Sequence, residues 1–185
     1  MWRKSLILYQ RLLLLLSEVD MDASELIRYT HNARGRYLKL LNELPWSEVV
    51  KDRGASFSSI RDIFLHTVDM EDRTINHIIQ GIPSELGHGP WEKFTDNISI
   101  EKRVHEVQGN TDVYLANLTQ SELDRKVTIP RRMDAPFLLR VEDVLVQLAI
   151  ENISHFGELM AILWQIDKQP PFLSWPNFLD HNILR

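Results

Sequence analysis

Apolar residues recur at helical spacing in four stretches of the chain, each of about 20 residues or more. Between these stretches the sequence is rich in proline, glycine and polar residues, which interrupt helices and favour turns. The periodicity therefore predicts an all-α protein, a four-helix bundle in which every helix buries one apolar stripe. The four predicted helices span residues 22–44, 59–80, 99–118 and 140–166.

Residues that commonly cap helices stand at the predicted boundaries. Asp22 or Ser24 can accept a hydrogen bond from the first turn of helix one, and a serine of the cluster 56–59 can do so for helix two. Gly81 follows helix two at the position where a left-handed glycine often ends a helix. These boundaries support the helical assignment independently of the apolar pattern.

The connecting segments are longer than a tight antiparallel bundle needs. We expect residues 126–129 to be extended, although the sequence shows no obvious partner strand for them. The tail 168–185 contains three prolines and the aromatic residues Phe172, Trp175 and Phe178. We expect this tail to pack across the surface of the bundle.

Length, composition and charge narrow the class of protein. The chain has 185 residues, of which 44% are hydrophobic and 25% charged, as in ordinary globular proteins. A net charge of −5 with no basic run argues against nucleic acid as a partner. There is no cysteine, which excludes a disulfide scaffold, a cysteine-ligated zinc site and a cysteine nucleophile. The same absence is consistent with a cytoplasmic protein.

The first 20 residues differ from the rest of the chain. They combine a basic start with a leucine run, as a short signal peptide does, but Arg11 divides the run and no small-residue cleavage site follows Leu16. We expect residues 1–20 to be an N-terminal extension from an early assigned start codon, and residues 21–185 to form a single domain. No stretch approaches the ~20 apolar residues of a membrane span, so no membrane partner is expected.

Polar residues interrupt the most apolar helix of the chain, residues 147–165. Asn152 and His155 fall within its apolar stripe, and Glu151 lies on the flank, one turn before His155. His66 lies near the apolar face of helix two. Together His66, Glu151 and His155 would form a two-histidine, one-carboxylate metal site with open positions, suited to Zn²⁺, Ni²⁺ or Fe²⁺.

The spacing by itself leaves a structural alternative open. A glutamate and a histidine four residues apart are common on helices, and a lone histidine near an apolar face is more often a hydrogen-bonded core residue. We expect Glu71, inside the stripe of helix two, to be a core carboxylate bonded to Asn152, with the orientation of a ligand histidine as its alternative role. His31, Arg34 and Glu158 fall off the apolar stripes and are expected to be solvated.

Two motifs resemble those of the DinB/YfiT-like proteins. The run GASFSSIRDIFLHTVDMEDRTINHIIQG, residues 54–81, is similar to the family's second helix, in which a glycine and serine cluster precedes a metal-binding histidine. The run ENISHFGELMAILWQID, residues 151–167, is similar to its fourth helix, and PPFLSWPNFLD, residues 170–180, to its proline and aromatic ending. The resemblance covers roughly residues 22–180.

The resemblance implies a four-helix bundle of up-down-down-up order, often a homodimer. It also implies a divalent metal (Zn, Ni, Fe or Mn) held by three histidines, one on helix two and two on helix four. Carried over to this chain, the first ligand is His66 and the last is His155. Glu151 stands where the family usually has histidine, which either keeps the site with one more negative charge or leaves a hydrogen-bonded pair without metal.

Two functions follow from these observations as hypotheses. The first is a metal-dependent enzyme, a transferase or hydrolase in which the metal activates a small thiol or water for reaction with a small-molecule substrate. The second is a non-catalytic bundle with a decayed metal site, acting in stress as a binding or dimerisation module.

Overall fold

The computed structural model describes residues 22–83, 89–130 and 135–183, with side chains to residue 180; the predicted extension 1–20 lies outside the described residues. Helix α3 continues without a break into a π-helical segment, Asp72–Ile79. No helix in the described part of the chain is long and apolar enough to cross a membrane. The elements in chain order are α1 (Ala23–Leu41), α2 (Trp46–Val49), α3 (Ile60–Glu71), α4 (Asn97–Ala116), α5 (Gln120–Asp124), β1 (Lys126–Ile129), β2 (Phe137–Arg140), α6 (Val141–Gln165) and α7 (Trp175–Ile183).

Side chains cap α1 and α3 where the sequence predicted these helices to begin. The Asp22 carboxylate accepts a hydrogen bond from Ser24 N at 2.8 Å, and α1 starts at the next residue. Within the serine cluster it is Ser59 that caps α3, since its hydroxyl accepts from Asp62 N at 3.2 Å. Gly81 has a φ of +72° directly after the last helical residues, which confirms it as the terminating glycine.

Helices α1 and α3 run in opposite directions. Arg34, late in α1, bonds to the carbonyl of Thr67, whereas His31, one turn earlier, bonds to Glu71, one turn later in α3. Because the later residue of α1 contacts the earlier residue of α3, the two helices are antiparallel.

Helix α6 lies beside α1 in the same direction. Ala23 and Leu145, from the first halves of the two helices, pack in one cluster. Tyr37 and Phe156, from the second halves, stack with ring centroids 5.2 Å apart.

Helix α4 runs parallel to α3. The π-helical segment to Ile79 continues α3, so Asp69 lies near the middle of the combined helix. Arg103 in the first half of α4 pairs with Asp69, and Leu115 near the end of α4 packs in the same cluster as Ile79. The order of the four long helices is therefore up-down-down-up, as the family resemblance implied. Two consecutive parallel helices require a long crossover, and the residues between Ile79 and Asn97 supply it.

A two-stranded hairpin precedes α6. Strands β1 and β2 pair antiparallel, with Lys126 opposite Arg140 and Ile129 opposite Phe137. The extended segment 126–129 was predicted, but the expectation that it has no partner strand is wrong. The partner escaped detection because Phe137–Arg140 is only four residues long and lacks the apolar and polar alternation of a half-buried strand.

The C-terminal tail packs on α1, as predicted. Tyr29 makes edge contacts with the rings of Trp175 and Phe178, at centroid distances of 5.3 and 5.5 Å. Arg36 donates a hydrogen bond to the carbonyl of Phe172 at 2.9 Å. The end of the tail forms α7, which was not predicted because prolines usually interrupt helices.

The interior consists of two apolar clusters separated by a polar layer. One cluster joins the second half of α1 with the first halves of α3 and α4 and the second half of α6; the other joins the opposite ends of the same helices. Each of the four long helices contributes buried polar residues at the level between the clusters. They are Thr30, Arg34, Glu71, Thr111 and Asn152.

The centre of this layer is an ion pair between α1 and α3. Arg34 Nη1 donates to Glu71 Oε2 at 2.7 Å, and both side chains have zero solvent exposure. His31 Nε2 lies 2.8 Å from the other oxygen of Glu71. The prediction that His31 and Arg34 are solvated is therefore wrong, because the three helices that pack against α1 bury a wider arc than one apolar stripe.

Glu71 is a core carboxylate, but its predicted partner was wrong. Asn152 donates instead to the carbonyl of Leu148 at 3.1 Å, and its own side-chain oxygen has no hydrogen-bond partner in the described structure. The cation that neutralises Glu71 is Arg34, which comes from a helix that the sequence gave no reason to link to it.

We expect Arg34→Met to lower the free energy of unfolding by about 3–5 kcal/mol, because it leaves the buried Glu71 carboxylate without its guanidinium. Urea denaturation provides the measurement. The exposed Arg28 serves as a matched control, and Arg28→Met is expected to cost less than about 1 kcal/mol. Adding Glu71→Leu to Arg34→Met should recover part of the lost stability. If Arg34→Met and Arg28→Met lose the same amount, Arg34 does not neutralise a buried charge.

The same pair predicts how stability depends on pH. Burial raises the pKa of Glu71, but the charges of Arg34 and His31 lower it more, to about 2 from its ordinary 4.5. A carboxylate with a depressed pKa stabilises the fold above its unfolded pKa, and this contribution is lost as the pH falls towards the folded pKa. The stability gap between the native protein and Glu71→Gln should therefore shrink by roughly 3 kcal/mol between pH 4.5 and pH 2. Denaturation at a series of pH values measures the gap, and a gap independent of pH would refute the expectation.

Candidate metal centre

His66 and His155 meet where α3 crosses α6. Their ring centroids are 4.7 Å apart and the ring planes are inclined by 81°. Each side chain is half-buried at the edge of the apolar cluster formed by the second half of α6. The antiparallel arrangement of α3 and α6 brings them together although 89 residues separate them in sequence (155 minus 66).

Helix α1 fixes the height of both histidines. Arg34 Nη2 donates to the carbonyl of Thr67, the residue after His66, at 3.2 Å. One turn later in α1, the Tyr37 hydroxyl donates to the carbonyl of Phe156, the residue after His155, at 2.7 Å. Burial raises the pKa of Tyr37, so the hydroxyl stays protonated and keeps this donor role. One helix thus aligns the backbone beside both candidate ligands.

Aromatic rings hold the two imidazoles from the outside. Phe57, in the loop before α3, stacks on His66 at 4.0 Å and 27° and meets His155 edge-on at 5.7 Å. Trp91 approaches His66 edge-on at 6.2 Å. The indole N–H of Trp91 donates to Asp69 Oδ2 at 2.7 Å, and burial raises the pKa of this carboxyl. The rings restrict how His66 can turn.

Glu158 lies on the other side of His155. The sequence suggested that its side chain is solvated, but the side chain is held by hydrogen bonds. Its carboxylate accepts from the backbone N of Ser56 at 2.9 Å and from the Ser56 hydroxyl at 2.6 Å. His155 Nδ1 lies 3.3 Å from Glu158 Oε2. Burial raises the pKa of Glu158, but the hydrogen bonds from Ser56 and from His155 lower it more, so the group is ionised. An ionised carboxylate beside Nδ1 favours the tautomer with the proton on Nδ1 and a free lone pair on Nε2.

Glu151, the third predicted ligand, stands one turn before His155 on the same helix. Its carboxylate accepts a hydrogen bond from Gln147 Nε2 at 3.0 Å, and it lines a pocket of about 590 Å³ whose described lining includes neither His66 nor His155. Within the described ranges, no group of three or more histidine, aspartate or glutamate side chains is placed to hold a metal ion. The structure therefore brings two of the three predicted ligands together, and the role of Glu151 stays a prediction.

The donors at this place fit the divalent metal that the family resemblance implied. Two imidazoles from facing helices are in contact, and one of them has a carboxylate on its second nitrogen, an arrangement common among metal-bound histidines. Glu151 is partly exposed and makes its hydrogen bond to a neighbouring surface amide, so a change of side-chain rotamer releases it. Imidazole nitrogen and carboxylate oxygen suit Zn²⁺, Ni²⁺, Fe²⁺ and Mn²⁺.

Sequence reasoning missed the groups that support the histidines. Glu158 could have been found, since a carboxylate three residues after a histidine on a helix faces the same side. Ser56 and Trp91 could not, because both lie in segments without periodic structure and contact the site across long sequence separations.

The tautomer of His155 is open to direct measurement. In the metal-free protein we expect long-range ¹H–¹⁵N NMR spectra to show His155 with its proton on Nδ1 at neutral pH, because Glu158 accepts there. Glu158→Gln should shift His155 towards a mixture of tautomers, while the exposed His105 serves as a control whose spectrum stays unchanged. A predominant Nε2–H form of His155 in the native protein would rule out this role of Glu158.

Comparison with known proteins bears on this site. The sequence model of the DinB superfamily matches residues 29–159, which include most of α1, all of α3 and α4, most of α6 and both histidines. No curated protein matches the chain. Since the match spans well over half of the sequence and the bundle has the expected helix order, the chain belongs to the DinB superfamily.

Proposed function

We propose that this protein binds one divalent metal ion through His66, Glu151 and His155 and is a metal-dependent enzyme acting on a small molecule. The observation that carries the proposal is the contact between the two imidazoles, at 4.7 Å, from helices that are otherwise joined by apolar packing. The contact places two imidazole rings, a ligand type that Zn²⁺ and Ni²⁺ favour, next to each other on facing helices.

The surroundings of the pair support a metal rather than a plain hydrogen bond. With Nδ1 of His155 directed at Glu158, the Nε2 lone pair is the free donor on that ring. Ser56 holds Glu158 with two hydrogen bonds, so the orienting carboxylate is itself fixed. Such outer supports are typical of metal-binding histidines.

Glu151 completes the site with a charged ligand where the family usually has a neutral imidazole. Two neutral histidines and one carboxylate leave a net charge of about +1 around a divalent ion, instead of +2. The lower charge weakens the acidity of whatever occupies the open positions, while carboxylate oxygen favours harder ions than a third imidazole would. When bound, the metal supplies Lewis-acid activation of a thiol or water.

The adjacent pocket gives a substrate access to this site. Met70 stands one turn after His66 in α3 and Glu151 one turn before His155 in α6, and both residues line the 590 Å³ cavity. Pockets of ~300–1,000 Å³ are typical of small-molecule sites. We infer that the substrate's body lies in this cavity and its reacting group faces the histidines, in a thiol-dependent transfer or in a hydrolysis.

A non-catalytic role is the second candidate, and one observation favours it. Glu151 is bonded to Gln147 rather than turned towards the histidines, which is the arrangement expected of a site that has lost its metal. In this case the bundle acts as a binding or dimerisation module. The exposed residues Ile150, Ile153 and Trp164 on the outer face of α6 support a homodimer under either function.

The remaining partner and location proposals rest on composition. The net charge of −5 supports a small molecule rather than nucleic acid as partner, and the lack of cysteine supports a cytoplasmic location.

Elemental analysis of the purified protein tests the metal site. After loading with Zn²⁺, Ni²⁺, Fe²⁺ or Mn²⁺ in turn, we expect close to one metal ion per chain for at least one ion, and a loss of most of it in His66→Ala, His155→Ala and Glu151→Ala. His105→Ala, on the exposed face of α4, is the matched control and should retain the metal. No binding by the native protein with any of the four ions would support the non-catalytic alternative.

Replacement of Glu151 by histidine tests the ligand role more sharply. Glu151→His restores the three-histidine pattern of the family and is expected to tighten the binding of Zn²⁺ and Ni²⁺ relative to Mn²⁺. Competition with a chromophoric chelator measures the change. If the ratio of the affinities stays as in the native protein, Glu151 is not a ligand. Catalysis needs its own test, a screen of thiol-dependent transfer and hydrolysis with the metal-loaded and metal-free protein.

A further inference from the structure

The pocket beside the histidine pair has a composition that restricts what can occupy it. Its buried floor comes from α6, its half-buried side comes from α3 and the π-helical segment, and its outer wall is the β1–β2 hairpin together with exposed side chains of α6. It is lined by Met70, Thr74, Ile129, Phe137, Leu139, Asp143, Val144, Gln147, Leu148 and Glu151. Six of these ten side chains are apolar, so most of a ligand's surface would contact hydrocarbon.

The charged side chains in the described lining are both negative. Asp143 and Glu151 are its two carboxylates, and among the described residues the lining contains no lysine, arginine or histidine. Arg140 already neutralises Asp143, to which it donates twice, at 2.9 and 3.0 Å. Glu151 has only the neutral amide of Gln147 as a partner among the described residues. In the part of the chain that the structure describes, a ligand therefore meets one carboxylate without a counter-cation, at the end of the pocket nearest the histidines.

This distribution favours one class of head group. A carboxylate or phosphate entering an apolar cavity next to an unpaired carboxylate would lose its hydration and face a like charge. A protonated amine in the same place would gain an ion pair in surroundings of lowered dielectric constant, and a neutral alcohol would gain only a hydrogen bond. The apolar walls would therefore contact a hydrocarbon body, and Glu151 would pair with a positively charged head group.

We propose that this pocket binds an apolar primary amine, with its hydrocarbon body between the hairpin and α6 and its ammonium group at Glu151. This binding does not require the metal of the proposed function, and a metal ion held by Glu151 would compete with the ammonium group for the same carboxylate. The thiol of a thiol-dependent reaction, if it carries carboxylates, would approach the histidines from outside this pocket.

Isothermal titration calorimetry with three matched probes tests the proposal. The full-length protein is kept metal-free with a chelator and titrated at neutral pH with 4-phenylbutylamine, 4-phenylbutanol and 4-phenylbutyrate, which share one body and differ in the head. We expect the amine to bind at least about fivefold more tightly than the alcohol and the carboxylate to bind weakest. Equal affinity for amine and carboxylate, or no binding of the amine, would overturn the proposal.

Two variants and a control locate the binding. Glu151→Gln keeps the shape of the pocket and should remove the preference for the amine over the alcohol. Leu139→Trp, on the partly buried hairpin wall, should fill the cavity and weaken both probes at least about tenfold, without disturbing the buried floor. Glu43→Gln removes an exposed carboxylate in the loop after α1 and should change neither affinity. Unchanged binding in Leu139→Trp would place the amine elsewhere and refute the site.

The same preparations separate this inference from the proposed metal function. Amine binding by protein that takes up no metal would retain the pocket and reject the metal enzyme. Stoichiometric metal binding by protein that does not bind the amine would retain the metal site and reject the pocket's ligand.

Discussion

The buried ion pair between Arg34 and Glu71 determines how the bundle is aligned. Both groups are fully removed from water, which costs several kcal/mol for each charge before their attraction is counted. Good geometry and hydrogen bonds to the remaining polar atoms offset this cost. The carbonyl of Thr67 and the imidazole of His31 provide two such bonds, whereas Arg34 Nε has no hydrogen-bond partner among the described residues. A shift of α1 along α3 by one turn would break the ion pair and these hydrogen bonds at the same time. Apolar contacts alone would tolerate such a shift, so the polar layer fixes the alignment of the two helices.

This alignment extends to the candidate metal centre through α1. Arg34 and Tyr37 stand one turn apart on the same face, and each bonds to a carbonyl directly after one of the two histidines. The helix that carries no candidate ligand therefore sets the relative height of the two helices that do. The contact between His66 and His155 is then a consequence of the core and does not depend on a metal being present. A preformed pair of ligands loses less conformational freedom when an ion binds.

The sequence was sufficient for the fold class, for three helix caps and for the two histidines, because these depend on local spacing. It failed where the deciding contact lies far along the chain. Arg34 borders the apolar stripe of α1 and was expected at the surface because of its charge, and only a buried carboxylate 37 positions away makes its burial tolerable. Glu158 was misjudged for the same reason, since Ser56, 102 positions away, holds it beside His155. Charged residues cannot be placed by periodicity alone when their partners come from another element, because the partner decides whether the charge can be buried.

The two carboxylates that flank His155 differ in how many of their lone pairs are already used. Glu158 accepts from two Ser56 donors and lies against His155 Nδ1, so releasing it for a metal would break a complete set of hydrogen bonds. Glu151 accepts one hydrogen bond from a neutral, exposed amide, which contributes only about 0.5–1.5 kcal/mol. A metal bond or an ion pair with an ammonium group exceeds that cost. Of the two, Glu151 is therefore the carboxylate available to a ligand, and Glu158 the one that orients the histidine. Under the proposed function, Glu151 would keep a donor where the family usually has histidine, and its charge also faces the pocket.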